Sequence, residues 1–220
     1  MRVCIVLLLA SLVIACASPA VGPDQQRLLN PADLEFTRPA PAQSLVRLET
    51  TAGHLVIEVI REWAPLGADR FVNLVRHGYY DDSPLFRIRP GTWAQFGIAG
   101  DPAIAQAWRD QTFPDDPFRQ TNARGTIAFA FAVPDGRTTQ VFINLKDNAT
   151  THDSEPFVPF GRVVEGLDVA DRFNDEYREG LGGIRAGKQD AGFAEGAVFF
   201  KREFPRLDWI ERATLVSRRP

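Results

Sequence analysis

The 220-residue chain is 45% hydrophobic and carries 25 basic and 28 acidic side chains, which gives a formal net charge of −3. This near balance excludes the basic composition of a nucleic-acid-binding protein. A chain of this length and apolar content can bury one hydrophobic core, so we expect one folded domain. The only cysteines are Cys4 and Cys16, so the sequence that follows them can form no disulfide of its own.

Residues 1–15 are predicted to be an export signal, because a charged start precedes an apolar run that is too short to span a bilayer. The run ends in VIAC at 13–16, which resembles a bacterial lipobox and would make Cys16 the lipid-bearing first residue. The alternative is an ordinary secretory signal with an incidental cysteine. We expect a protein of the bacterial cell envelope, anchored by its lipid with the domain in the periplasm. Ala17, where some bacteria use aspartate for inner-membrane retention, favours the outer membrane.

Residues 16–43 are polar, rich in proline and alanine, and lack a sustained apolar period, which is typical of a flexible tether. The folded domain is predicted to cover residues 44–217. It opens with two β-branched runs, at 45–50 and 55–60, on either side of a glycine-containing turn. This arrangement predicts a β-hairpin.

Helix signals follow the hairpin. Ala64 and Pro65 precede apolar residues at helical spacing, and Gly78 stands where a helix-ending glycine belongs, which predicts an amphipathic helix. A second helix is predicted at 167–173, and the glycine-rich segment 180–196 is predicted to be a surface loop. Further short strands are predicted at 86–88, 93–97, 126–132, 140–144, 157–163 and 209–216. Many short strands with two helices predict a closed or nearly closed antiparallel barrel.

The sequence offers little for covalent or hydrolytic chemistry. His54, His77 and His152 form neither an HExxH motif nor another paired-ligand spacing, so we expect no metal site. The chain has no GxSxG motif, no glycine-rich phosphate loop and no cysteine available as a nucleophile. Hydrolases and kinases are therefore disfavoured, and no metal or organic cofactor is expected.

Three sequence blocks, in order along the chain, carry the strongest signal. They are LFRIRPGTWAQFGIAGDP at 85–102, GTIAFA at 125–130 and TQVFIN at 139–144, and PFGRVVEG follows at 159–166. These blocks resemble the signatures of the cyclophilins. The resemblance extends over residues 45–216, which is nearly the whole of the predicted domain.

The resemblance to the cyclophilins implies a mainly β fold, an eight-stranded antiparallel closed barrel capped by two α-helices. It also implies a peptidyl-prolyl cis/trans isomerase that acts on proline-containing polypeptides, and we expect a monomer. By the same resemblance Arg87 is the catalytic residue, supported by Gln95. The substrate-binding residues that the resemblance implies are Phe86, Trp93, Ala130, Phe131, Gln140, Phe142, His152 and Phe157.

Arginine suits this chemistry. Rotation about an Xaa-Pro bond faces a barrier of about 18 to 20 kcal/mol because the amide has partial double-bond character. A guanidinium can donate to the prolyl nitrogen of the twisted amide and stays charged while doing so, so no general base is needed. A lone arginine on a strand is usually a solvated surface residue, and Phe142 taken alone would usually belong to a core. Because Arg87 and Phe142 occur together in the order typical of the family, functional roles are favoured for both. Arg89 is assigned a surface or secondary role.

Four positions depart from the cyclophilin pattern. Thr92 stands where many members have a pocket phenylalanine, Trp93 where they have methionine, Phe131 where they have asparagine, and Phe157 where they often have histidine. The change at Thr92 bears most on substrate affinity, and Trp93 is large enough to rebuild the apolar wall. Two alternative functions stay open: a proline-peptide-binding chaperone module with little or no turnover, and a structural envelope lipoprotein on a cyclophilin scaffold.

Overall fold

The computed structural model describes residues 23–185 and 188–217; the predicted export signal and Cys16 lie outside them. Within these residues the strands are β1 (Gln43–Thr50), β2 (Gly53–Ile60), β3 (Ser83–Pro84), β4 (Arg87–Arg89), β5 (Trp93–Phe96), β6 (Thr126–Phe129), β7 (Val141–Asn144), β8 (Pro159–Glu165) and β9 (Trp209–Val216). The α-helices are α1 (Pro23–Gln26), α2 (Pro65–Arg76), α3 (Pro102–Trp108), α4 (Ala149–His152), α5 (Leu167–Ala170), α6 (Asp190–Glu195) and α7 (Ala197–Glu203). Short 3-10 helices lie at Arg27–Leu29, Leu34–Thr37 and Glu179–Leu181.

The strands form one antiparallel sheet in the order β3-β9-β1-β2-β8-β6-β7-β5-β4. The sheet curls around the core but does not close, because β3 and β4 each pair with one neighbour only among the described strands. Leu85 and Phe86 carry the chain from one edge to the other. The prediction of a mainly β, antiparallel fold is confirmed. The closed eight-stranded barrel is wrong in detail, since the described part has nine strands and an open edge.

The predicted hairpin and first helix are confirmed. β1 pairs with β2 along its whole length, and α2 packs against the sheet. The Asp116 carboxylate accepts hydrogen bonds from the amides of Leu66 and Gly67, both at 2.9 Å, and so satisfies the first turn of α2. Phe71 of α2 and Phe160 of β8 are fully buried with ring centroids 5.0 Å apart. Helix α2 therefore anchors the sheet that carries the site.

Residues 23–42 belong to the segment predicted to be a flexible tether, yet they pack onto the domain. Leu28 is fully buried, and its carbonyl accepts a 2.8 Å hydrogen bond from the indole of Trp108. Phe36 meets the same indole edge-on, with ring centroids 4.8 Å apart. The tether prediction is wrong for this part of the chain, because isolated apolar residues can reach a core without forming a regular period. The domain therefore begins before residue 44.

Residues 171–208, which join α5 to β9, are called the connecting segment below. They contain α6 and α7, and the prediction of an irregular surface loop at 180–196 is wrong at 190–195, which α6 occupies. Buried aromatic rings explain the helices, since Phe193 of α6 and Phe200 of α7 both join the core. The second predicted helix, at 167–173, is present only as the four-residue α5. No helix in the described part of the chain is long and apolar enough to cross a membrane.

Candidate active site

Sheet register brings four of the predicted site residues together. Arg87 of β4 lies opposite Gln95 of β5, and Gln95 lies opposite Phe142 of β7. Residues that lie opposite each other in an antiparallel pair project their side chains to the same face of the sheet. Gln140 stands two residues before Phe142, which places it on that face as well. The predicted catalytic pair and the predicted pocket floor are therefore neighbours.

Hydrogen bonds connect these side chains into a continuous row. Arg87 Nη1 donates to Gln95 Oε1 at 2.8 Å, and Gln95 Nε2 donates to Gln140 Oε1 at 2.8 Å. Gln140 Nε2 then donates to Gln189 Oε1 at 2.7 Å. We call Gln95, Gln140 and Gln189 the amide row. Each of the first two amides accepts through oxygen and donates through nitrogen, so its orientation is set by both neighbours.

The guanidinium of Arg87 is held on three sides. In addition to the bond to Gln95, its Nε donates to the carboxylate of Glu179. Its Cζ lies 4.4 Å from the centroid of the Trp93 ring, where stacking and cation–π attraction are both favourable. The Arg87 side chain is 19% exposed, so it is largely shielded from water but can still be reached by a substrate.

An aromatic cluster adjoins this guanidinium and the amide row. Phe142 is nearly buried, and its ring centroid lies 5.4 Å from that of Phe157 and 5.6 Å from that of His152. Phe131 lies 4.5 Å from Phe157 by the same measure. Four predicted substrate-binding residues thus form one group of rings. Apolar ring faces of this kind suit the ring of a proline.

His152 is the titratable member of the aromatic cluster. Desolvation lowers the pKa of His152 from its ordinary value of 6.5, because partial burial disfavours the charged imidazolium. A hydrogen bond with the Asn148 carbonyl and the charge of Asp153 oppose this shift but do not overcome it. The neutral ring is therefore favoured, which keeps the cluster apolar.

A cleft of about 220 Å³ lies beside Arg87 and the amide row. Ala130 forms part of its edge, and the Ala130 amide donates to the Gln140 carbonyl at 2.9 Å. Predicted residues that line the cleft are Arg87, Gln95, Ala130, Phe131 and Gln140, and the connecting segment adds Gln189 and Phe193. The cleft therefore has a polar side made by guanidinium and amides and an apolar side made by aromatic rings.

Phe86 does not join the site. Its ring is buried in the core, 6.0 Å between centroids from the ring of Phe200 in α7, so the predicted substrate-binding role of Phe86 is wrong. The half-buried Thr92 contributes its carbonyl to hydrogen bonds from the Leu145 amide and the Asn148 side chain, both at 2.9 Å. Thr92 therefore shapes the turn beside Trp93 and adds no ring to the pocket.

Sequence reasoning missed Glu179 and Gln189, the two residues of the connecting segment that bond to Arg87 and Gln140. Glu179 stands 92 positions after Arg87, and Gln189 stands 49 positions after Gln140. No local pattern marks a contact across such distances. The one available signal was the apolar run at 197–200, which favours an ordered helix over an irregular loop.

Fold and site together define an open β-barrel with an arginine and an amide row beside a cleft, and with an aromatic cluster whose member Phe131 lines that cleft. The described residues contain no group of three or more His, Cys, Asp or Glu side chains that could hold a metal ion. A family model described as cyclophilin-type peptidyl-prolyl cis-trans isomerase matches residues 45–186. The chain therefore belongs to the cyclophilin-type peptidyl-prolyl cis-trans isomerase family.

Individual relatives agree with this assignment. The chain is 31% identical to peptidyl-prolyl cis-trans isomerase A of Dickeya dadantii over 65% of its own length and 77% of the relative's. It is 30% identical to a peptidyl-prolyl cis-trans isomerase of Acinetobacter baylyi over 60% and 73%. A cyclophilin-type isomerase structure from Cryptosporidium parvum superposes with a TM-score of 0.59 at 16% identity, covering 80% of this chain and 99% of that one. A cyclophilin structure from Hirschia baltica gives 0.56 at 18%, covering 83% and 77%. At these identities the two structures show a shared fold.

Proposed function

We propose that this protein isomerises Xaa-Pro bonds of exported polypeptides and that Arg87 provides the catalytic donor. The observation that carries the proposal is the position of the Arg87 guanidinium, which is bonded to Gln95 and lies in register with Phe142. The aromatic cluster holds the proline ring, and the guanidinium donates to the prolyl nitrogen as the amide twists. That nitrogen gains a basic lone pair only when resonance is broken, so the interaction is strongest in the transition state.

The immediate surroundings of Arg87 support this role. A preorganised donor in a site shielded from water stabilises developing charge without reorganising at the moment of reaction. The stacking on Trp93 and the bonds to Gln95 and Glu179 supply that preorganisation. The planar guanidinium presents several fixed N–H donors, so donation to the prolyl nitrogen needs no general base.

A turnover assay separates the isomerase from the binding module. Isomerisation of a short Xaa-Pro peptide is followed by cleavage with a protease that accepts only the trans form, and peptide binding is measured separately by calorimetry. We expect the wild-type protein to accelerate the slow cis-to-trans phase in proportion to its concentration. Binding of the peptide without such acceleration would replace the isomerase proposal with the proline-peptide-binding module.

We further propose that the mature protein is a lipoprotein of the cell envelope, with Cys16 as the acylated residue. The support is the VIAC sequence at 13–16, which follows a short apolar run. We expect Cys16→Ser to move the protein from the membrane fraction to the soluble fraction. Cys4→Ser is the matched control, because Cys4 lies in the part of the signal that processing removes. A Cys16→Ser protein that still sediments with membranes after processing would contradict the lipid anchor.

A further inference from the structure

We propose that Glu179 is a positioning residue for Arg87, supplied by the connecting segment and acting on catalysis only through the guanidinium. This inference rests on the catalytic role proposed for Arg87. It concerns a residue outside every sequence block that indicated the site, since Glu179 stands between α5 and α6.

The contacts of Arg87 fix both the plane and the direction of its guanidinium. Nε donates to the carboxylate of Glu179 and Nη1 donates to Gln95 Oε1. Because the guanidinium is planar, two acceptors at different nitrogens restrict its rotation, and the Trp93 ring supports its face. Within the described residues Arg87 donates hydrogen bonds through Nε and Nη1, which leaves the donors of Nη2 available to a substrate.

The bond between Arg87 and Glu179 is strengthened by the partial burial of the pair. The side chain of Arg87 is 19% exposed and that of Glu179 is 42% exposed, so the pair is only partly screened by water. Hydrogen bonds between charged groups are shorter and stronger than neutral ones. A carboxylate on Nε therefore restrains Arg87 more tightly than the neutral amide of Gln95 could restrain it alone.

The connecting segment also supplies Gln189, the last member of the amide row. Gln189 accepts the 2.7 Å hydrogen bond from Gln140. Gln189 stands ten positions after Glu179, which accepts from Arg87. The bonded side chains of Arg87, Gln95 and Gln140 are thus held at both ends by residues of the connecting segment. The geometry of Arg87 and Gln140 therefore depends on the connecting segment as well as on the sheet.

Two substitutions at Glu179 separate position from charge. In Glu179→Gln the side-chain oxygen can still accept from Arg87 Nε, whereas Glu179→Ala removes both the acceptor and the charge. We expect Glu179→Ala to lower kcat by about tenfold, the effect of a 1.4 kcal/mol loss, with KM changed by less than about twofold. Glu179→Gln should keep kcat within about threefold of wild type, because a neutral acceptor retains part of a charge-assisted hydrogen bond.

Glu176→Ala is the matched control. Glu176 lies in the same connecting segment and pairs with Arg206 on the surface, where both side chains are well exposed. Its loss should leave kcat and KM at wild-type values, because exposed ion pairs contribute little. Thermal denaturation of each variant shows whether the segment stays folded.

The decisive comparison adds Glu179→Ala to Arg87→Ala. If Glu179 acts only through Arg87, the double variant has the same kcat as Arg87→Ala alone. A further loss in the double variant would overturn the proposal, as would unchanged or increased activity in Glu179→Ala. Failure of the catalytic role itself would be seen separately, as full activity in Arg87→Ala.

Discussion

Arg87 and Gln95 lie opposite each other on β4 and β5, and a 2.8 Å hydrogen bond from Nη1 to Oε1 joins their side chains. The backbone pairing therefore fixes the position of the arginine before any substrate binds. Gln95 is nearly buried. A water molecule could therefore accept the hydrogen bond of Arg87 in its place only if this face of the sheet opened. A guanidinium placed in this way should be far more sensitive to substitution than an arginine on the surface.

Arg87→Ala should lower kcat/KM by about a hundredfold or more while the fold stays intact, because one preorganised donor is typically worth about 3 to 4 kcal/mol. Arg87→Lys should be nearly as damaging, since a single ammonium cannot reproduce the planar fork. The measurement is peptide isomerisation, with circular dichroism to confirm folding. Arg89→Ala is the control, because Arg89 lies on the same strand and is exposed. A folded Arg87→Ala protein that kept more than about a third of wild-type activity would remove Arg87 from the mechanism.

Turnover should be nearly flat from about pH 7 to 9 and should fall on acidification as His152 takes up a proton. Arginine and glutamine do not titrate in this range, and burial holds the pKa of His152 below its ordinary value. The neutral form of His152 is therefore the one that the folded protein favours. Stability from this group is present above the unfolded pKa and is lost as pH falls through the lower folded pKa.

His152→Phe tests the source of that acid limb. The substitution keeps an aromatic ring beside Phe142 and Phe157 and removes the titrating group. Peptide affinity measured from about pH 5 to 8 should then lose most of its pH dependence. An unchanged acid limb in this variant would assign the effect to another group.

Asp116→Ala should destabilise the fold by about 3 kcal/mol or more. Arg137 is fully buried and pairs with Asp116, whose carboxylate also accepts the two amides of the first turn of α2. Removal of Asp116 leaves the buried guanidinium with Asp115 as its remaining ion-pair partner among the described residues, and it uncaps the helix. Urea denaturation measures the change in the free energy of unfolding. Asp168→Ala, which breaks an exposed pair with Arg172, should change that free energy by less than about 1 kcal/mol.

A chain that begins at residue 43 should be less stable than one that begins at residue 23 by at least about 3 kcal/mol. The truncation removes the buried Leu28 and Phe36 and exposes Trp108, which they cover. Thermal denaturation of the two chains provides the comparison. A flexible tether would have made this truncation harmless, so equal melting temperatures would contradict the packing of residues 23–42.

Much of the site could be predicted because its residues occur in short, ordered blocks. The blocks at 85–102 and 139–144 identified Arg87, Gln95, Gln140 and Phe142, and the structure places all four together. The prediction for Phe86 was wrong because successive side chains along a strand point to opposite faces, so Phe86 and Arg87 point in opposite directions. Which of the two faces meets the core depends on the whole sheet. The family pattern alone could not exclude its burial against Phe200.

The sequence by itself determined the elements that depend on near neighbours: the β1–β2 hairpin, helix α2 with its proline start, and strand β9, whose predicted bounds of 209–216 match the structure. Turn residues and apolar periods act within a few positions, so they can be interpreted locally. Tertiary structure alone decided the open edge, the packing of residues 23–42 and the contact of Glu179 with Arg87. Two of these features join residues 80 or more positions apart, as Trp108 and Leu28 do. The open edge depends on where the whole sheet ends. Such contacts depend on the path of the entire chain, which no short pattern encodes.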